Sequence, residues 1–410
     1  MENRVRVLML SWEYPPKIVG GIARHVEEIA WALAEEGHEV HVVTCEFPGA
    51  PAEETYKGVH VHRVTPYTPA DNFIHWVHQL NAAMRDRADA LLREWTAGKT
   101  SIKRRRQGIV LHAHDWLAYF SAVQLKHQFK LPLVATIHAT EYGRNQGVRT
   151  DLQKYIHQQE TALCDEAWRI IVCTNFMRLE VEYALHAPWD KMDVIPNGVH
   201  AEKFNFDFPH DEAAAFRNRF AAPHEKIVFF VGRMVREKGA DVLVAALPSI
   251  RAQYPDVKLL VVGGGYRDHL VELANRLGVS NNVYFTGFVS DDDLLRIYKV
   301  ADVACFPSRY EPFGIVALEA MAAGVPVVVS DAGGLPDVVE HDVSGTVVWA
   351  DNADSLAWGV VRTLRDTGHS RWMAENARRR AVEVFNWENI AKQTSQTYER
   401  VWYEYKSGTW

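Results

Sequence analysis

Pro307-Ser308-Arg309-Tyr310-Glu311-Pro312-Phe313-Gly314-Ile315-Val316-Ala317-Leu318-Glu319-Ala320-Met321-Ala322-Ala323-Gly324 is the stretch on which the reading of this chain turns. It follows Ala301–Phe306, an apolar run with the pattern of a short buried strand. It then opens into an apolar-periodic helix, Ile315–Ala323, closed by Gly324 and Pro326. A strand, a Gly/Pro turn and a helix gather backbone N–H groups at one helix N-terminus, where an anion is favoured. Two carboxylates bracket that turn, Glu311 before the helix and Glu319 inside it. Phosphate would repel a carboxylate, so these make sense only opposite hydroxyls or a developing positive charge. Phosphate and hydroxyls in one crevice point to a nucleotide sugar.

Composition sets the frame. A chain of 410 residues exceeds what one hydrophobic core usually fills, which argues for two domains. Hydrophobic residues at 48% and charged residues at 24% are ordinary globular values, and a net charge of −7 argues against wholesale nucleic-acid binding. The basic run Lys103-Arg104-Arg105-Arg106, near Gly98, reads as a solvated surface; attraction to anionic lipid, a peripheral membrane contact, or to an acidic acceptor is the lesser reading. Cys45, Cys164, Cys173 and Cys305 show no CxxC spacing and suit a reducing cytoplasm. Val5–Leu10 is too short for a signal peptide and no run reaches membrane-spanning length, so a cytoplasmic protein is expected.

The first half reads as strand, loop, helix, strand. Arg4–Leu10 is apolar throughout, Ile22–Glu36 repeats its apolar residues at helical spacing, and Glu39–Thr44 is the next strand. That order is doubly wound, and its first loop lies where open α/β sheets bind ligands. The loop holds Lys17-Ile18-Val19-Gly20-Gly21, whose paired glycines let backbone approach a diphosphate; by itself Lys17 reads as a solvated loop lysine. Gly58–Pro66 is a strand and Phe73–Arg93 a helix. The strand Ile109–His112 ends in His112-Ala113-His114-Asp115-Trp116. His-x-His-Asp has metal spacing, but with no third ligand nearby in sequence no metal is expected; Asp115 alternatively caps the next helix. Leu133–Ile137 delivers His138-Ala139-Thr140-Glu141-Tyr142 to the same sheet edge. His138 either contacts a sugar hydroxyl or is a buried, satisfied histidine.

Arg169–Cys173 is a further strand, and Lys191–Ile195 leads into Pro196-Asn197-Gly198-Val199, strong turn chemistry at which the domain boundary is placed. The second half repeats the plan. Lys226–Val231 leads to Gly232-Arg233-Met234-Val235-Arg236-Glu237-Lys238-Gly239, where Arg233 as a planar fork and Lys238 as a point charge reach one diphosphate. Val257–Val262 runs into Gly263-Gly264-Gly265, and Asn282–Phe285 precedes Gly287-Phe288-Val289. Asp291-Asp292-Asp293 is read as the cap of a helix Leu294–Lys299 rather than a metal site. Pro326–Ser330 is the last clear strand. The chain is helical after Asn352 and ends in an amphipathic helix, Trp387–Tyr405.

These stretches together resemble the retaining GT-B glycosyltransferases, family 4 in particular, and the glycogen synthases. The resemblance rests on E-P-F-G-x-x-x-L-E-A-M-A-x-G at Glu311–Gly324, on G-R-x-x-x-x-K-G at Gly232–Gly239, and on the H-D-W and T-I-H stretches. It implies two doubly wound Rossmann-like domains facing a cleft, residues 1–196 and 197–386, with a helix over 387–410 crossing back to the first. It also implies a catalytic set of Glu311, His138, Arg233 and Lys238. Donor contacts would come from Lys17, Gly20, Gly21, Gly264, Val289, Phe313, Gly314, Ile315 and Glu319, with Glu319 on the ribose. Asp115, Trp116 and Tyr142 would lie on the acceptor side. The glycogen-synthase Lys-x-Gly-Gly segment is one residue shorter than the one here, which leaves Lys17 open.

The activity so implied is retaining, metal-independent transfer of a hexose, glucose first, from ADP- or UDP-glucose to a carbohydrate acceptor such as an α-glucan. No cofactor beyond the nucleotide sugar is expected. The second glutamate, usually missing from the shorter bacterial glycogen synthases, shifts the chain toward family 4. Its members also include maltose-1-phosphate, sucrose and sucrose-phosphate synthases and GDP-mannose-dependent mannosyltransferases. A nucleotide-sugar epimerase and a non-enzymatic nucleotide-sugar-binding regulator are the readings from other classes.

Overall fold

The computed structural model describes residues 4–97 and 108–408; Gly98 and the basic run Lys103–Arg106 lie outside the described residues. It resolves into two compact units, one comprising residues up to Asn197 with those from Trp387 on, the other Gly198–Asn386.

The first unit is built on β1 (Arg6–Leu10), β2 (Glu39–Cys45), β3 (Glu53–Tyr56), β4 (Val59–Val64), β5 (Ile109–His114), β6 (Leu133–Ile137), β7 (Arg169–Val172) and β8 (Met192–Val194). They lie in the order β3-β4-β2-β1-β5-β6-β7-β8. Every neighbouring pair is parallel except β3 with β4. Apolar runs such as Val7–Leu10 and Val110–Leu111 are buried on both faces, as strands sandwiched between helices must be. The order turns back at β1: β2 and β4 lie on one side of it, β5 to β7 on the other. Loops after β1 and β5 therefore flank a switch point, where open sheets leave a crevice.

In the second unit β9 (Lys226–Val231), β10 (Val257–Val262), β11 (Val283–Gly287), β12 (Val303–Phe306), β13 (Val327–Ser330) and β14 (Thr346–Val348) form an all-parallel sheet. Its order, β11-β10-β9-β12-β13-β14, places the switch point between β9 and β12. Each unit has its own apolar core, around Val7, Val42 and Val110 in the first and around Val228, Leu243 and Val261 in the second.

Two strands depart from the sequence expectation. β3 is a polar Glu-Glu-Thr-Tyr edge that pairs antiparallel with β4, and β14 is a three-residue edge after the last expected strand. Short edges carry too little apolar pattern to be recognised from sequence alone. The acidic triplet also differs. The helix Asp291–Val300 already includes Asp291, Asp292 and Asp293, and its N-cap is Ser290, whose hydroxyl accepts the Asp293 N–H at 3.1 Å. The aspartates thus sit in the first turn, where the helix dipole favours them.

The last helix, Trp387–Ser407, packs on the helix Gly21–Glu35 of the first unit. Tyr398 inserts its hydroxyl 2.7 Å from His112 Nδ1, and Trp168 donates to Glu404 at 2.9 Å. Among the described residues, no helix is long and apolar enough to cross a membrane.

Candidate active site

At the switch point of the second sheet, the loop after β9 meets the loop after β12. Lys238, at the end of a tight turn, places its ammonium 2.6 Å from a Glu311 carboxylate oxygen, and the Ser308 hydroxyl donates to the same oxygen at 3.3 Å. Glu311 is buried. Two of the expected catalytic residues, 73 positions apart in sequence, are therefore in direct contact.

Glycines make that contact possible. Gly239 has φ +71°, and a Cβ there would lie 1.9 Å from the Pro307 carbonyl oxygen. Gly333, at φ +61°, would place a Cβ 2.2 Å from the Glu311 carbonyl oxygen, and the Gly334 N–H donates to that oxygen at 2.8 Å. Neither position accepts a side chain without moving backbone that carries the site.

Arg309 fastens the same turn. Its guanidinium forks onto both oxygens of Asp241 at 2.8 and 2.7 Å, reaches Asp351 at 2.7 Å and bonds the Arg236 carbonyl at 2.9 Å. This residue lies in the opening stretch yet was not singled out, because its partners are remote in sequence. Arg233 is more than half exposed, with Glu237 its nearest carboxylate at 3.8 Å, and so is available to an incoming anion.

The other donor candidates divide by exposure. Gly314 is the N-cap of the helix Ile315–Ala323 at φ +103°, with Ile315 half-buried in its first turn. Glu319 accepts a hydrogen bond from the Tyr298 hydroxyl at 3.0 Å. Gly264 is exposed with no neighbouring atom where a Cβ would stand, and Val289 is half-buried. Phe313 is buried with its ring edge-on to Phe385, so its contribution to a donor would be through backbone.

In the first unit, Gly20 is the N-cap of the helix Gly21–Glu35, but the loop already holds an anion of its own. The buried Glu13 carboxylate accepts the Val19 and Gly20 N–H groups at 2.6 and 3.1 Å. Those two donors are therefore committed, and Gly21 beside them is exposed. Lys17 lies over the Trp76 ring at 5.6 Å.

Asp115 follows β5 with φ +60° and ψ 172°, a conformation that costs a non-glycine residue energy. Its carboxylate does not cap the next turn; it accepts the His138 N–H at 2.7 Å. Asp115 and His138 are thus brought together. Trp116 is buried, with Phe73 edge-on to its ring. Tyr142 is half-buried and lies edge-on to the exposed Tyr183. The loop carrying Tyr142 is held from below, where both oxygens of buried Glu160 accept the Glu141 N–H and Glu180 accepts the Thr140 hydroxyl.

His138 is also one of three clustered imidazoles. His25, from the helix Gly21–Glu35, and His114 approach it so that one ring nitrogen of each lies within 4.8 Å of the others. Of the His-x-His-Asp run only His114 joins the cluster; its two companions come from the helix near the N-terminus and from the residue after β6. Burial keeps these rings neutral, pulling His25 down to about 4 and driving His114 and His138 well below the usual histidine range. Burial also raises Asp115 to about 7 and Glu160 to about 9.

Comparison with known proteins finds likeness along most of the chain. Residues 19–203 match Glycosyltransferase Family 4, and residues 211–380 match Glycosyl transferases group 1. An uncharacterised glycosyltransferase of Methanocaldococcus jannaschii is 40% identical over 96% of this chain and 98% of its own. A glycogen synthase of Mycobacterium tuberculosis is 35% identical over 96% of this chain and 94% of its own. The solved sucrose-phosphate synthase of Thermosynechococcus elongatus superposes with a TM-score of 0.80 at 27% identity, covering 98% of this chain and 100% of that one. With two Rossmann-like sheets and likeness along almost its whole length, the chain belongs to the family 4, group 1 glycosyltransferases of GT-B fold.

Proposed function

We propose that the protein transfers glucose from ADP- or UDP-glucose to a hydroxyl of an α-glucan, with retention at the anomeric carbon and without a metal cofactor. In the reaction the bond from the anomeric carbon to the diphosphate oxygen breaks and one to the acceptor oxygen forms. The acceptor proton passes to the departing diphosphate. Charge accumulates on that diphosphate, so preorganised cations and helix N–H groups are the groups expected to lower the barrier.

The observation that carries this reading is the Lys238–Glu311 contact at the switch point of the second sheet. A buried carboxylate held against an ammonium sits in position to face sugar hydroxyls, while the ammonium has hydrogens left for phosphate. Arg233 and the helix start at Gly314 add to the anion site, and Glu319 is assigned to the ribose. In the first unit, His138 is assigned to the transferred sugar, with Asp115 and Tyr142 toward the acceptor. The likeness to a glycogen synthase supports glucose and a glucan. The likeness to a sucrose-phosphate synthase supports a second reading, a small phosphorylated sugar as acceptor.

The test is a matrix of ADP-glucose, UDP-glucose, GDP-glucose and GDP-mannose against glycogen, maltose, fructose 6-phosphate and glucose 1-phosphate. Product formation and donor-induced thermal shifts are read together. Glucosyl transfer to glycogen or maltose is expected. Turnover only onto a phosphosugar would establish the second reading. No shift and no turnover with any donor would overturn both.

A further inference from the structure

We infer that His25, His114 and His138 form a binding site for a single zinc-class transition-metal ion. The three imidazoles come from separate elements: the helix Gly21–Glu35, the end of β5, and the residue after β6. One nitrogen from each falls within 4.8 Å of the other two. His114 Nδ1 and His138 Nε2 are 3.1 Å apart. Two nitrogens on one tetrahedral ion, each about 2.0–2.1 Å from it, stand roughly 3.3 Å apart, so this pair needs almost no rearrangement.

The surroundings suit ligands rather than charges. His25 Nδ1 lies 2.7 Å from the Asn197 side-chain oxygen, which takes the ring proton on that side and leaves the Nε2 lone pair free. Outer partners of this kind orient metal-bound histidines. His114 is fully buried, and its Nδ1 is the ring nitrogen that faces His138. His25 is also buried, whereas His138 is half-buried and gives the cluster its approach. An all-nitrogen donor set selects zinc, cobalt, nickel or copper over magnesium or calcium. The simpler alternative is a stack of neutral rings, since His25 meets His138 edge-on at 4.7 Å and His112 lies 4.3 Å from His114.

An ion at this site takes up a lone pair of His138, so it acts as an inhibitor and not as a cofactor. That consequence rests on the sugar-contacting role given to His138 above; the binding itself does not.

The experiment is a Co(II) titration of the full chain after chelator dialysis, read by visible d–d absorption and by metal content. One Co(II) per chain is expected, displaced by equimolar Zn(II). His25→Ala should weaken binding by more than about 100-fold, and Asn197→Ala, an outer-partner change, by about 10- to 100-fold. His114→Phe, with an unchanged far-UV spectrum and melting temperature, provides a second variant should His25→Ala misfold. Absence of the visible bands, or a one-to-one site that survives both His25→Ala and His114→Phe, overturns the proposal. Zn(II) bound without loss of turnover would overturn the role of His138 at the sugar while upholding the site.

Discussion

The Lys238–Glu311 contact concentrates the functional argument in two side chains. Lys238→Ala leaves Glu311 buried without its ion partner and, on the proposed mechanism, removes one cation from the diphosphate. A fall in kcat of about 10²- to 10³-fold is expected, the scale seen when one preorganised transition-state donor is lost. An unchanged kcat with only a raised KM would place Lys238 in ground-state binding alone.

Glu160 makes a different kind of prediction. Burial first, and then the nearby Asp115, lift its carboxyl from 4.5 to about 9. Between those values the folded chain holds a proton that the unfolded chain releases, so this group lowers stability as pH rises across the window. Glu160→Gln keeps an acceptor for the Glu141 N–H and removes the titration. The variant's melting temperature should gain on the parent's from about pH 5 to about pH 9 and run parallel above that. Parallel curves throughout would show that Glu160 is already ionised in the folded state.

At the scale of elements, turns and caps hold the site more than the helices do. Gly239→Ala would drive a Cβ into the Pro307 carbonyl at a left-handed φ. A loss of about 2 kcal/mol or more is expected, read as a lower denaturation midpoint, since both backbone strain and a steric shift are imposed. Ser290→Ala removes the hydroxyl that caps the helix Asp291–Val300 and should cost about 1 kcal/mol. Asp292→Asn in the same turn should cost less than about 0.5 kcal/mol, because only a screened dipole interaction is lost. The reverse ranking would restore the aspartates as the cap. Sequence reading found the helix but missed its first turn, because a run of three aspartates followed by apolar periodicity looks the same whether the acids precede the helix or begin it.

For the whole molecule, the last helix decides whether the first unit closes its core. Trp387, Ile390, Ala391, Tyr398, Val401 and Trp402 are all buried. At about 1.5–3 kcal/mol for each large apolar side chain, their burial amounts to roughly 10 kcal/mol, comparable to the net stability of a domain. A chain ending at Asn386 should therefore lose the cooperative melting of its first unit, followed by near-UV circular dichroism. Retained cooperative melting would show that the helix only covers an already closed core.

The order of strands and helices was legible because apolar periodicity and Gly/Pro punctuation are local properties of the chain. Glu311, Arg233, Lys238 and Glu319 stood out as candidates for the same reason: each lies in a short run whose neighbours report a strand end or a helix start. Periodicity tells which face of an element is apolar, not which remote side chain meets it. Only the tertiary structure set Lys238 on Glu311, Arg309 on Asp241 and Asp351, and Glu13 on the N–H groups of Val19 and Gly20. It also buried Trp116, turned Asp115 from a possible cap to the His138 backbone, and carried His25 to His114 and His138. Apart from the Glu13 loop, whose bonds span six and seven residues, those pairings depend on strand order and helix packing across tens of residues or more, and no local stretch of sequence contains that information.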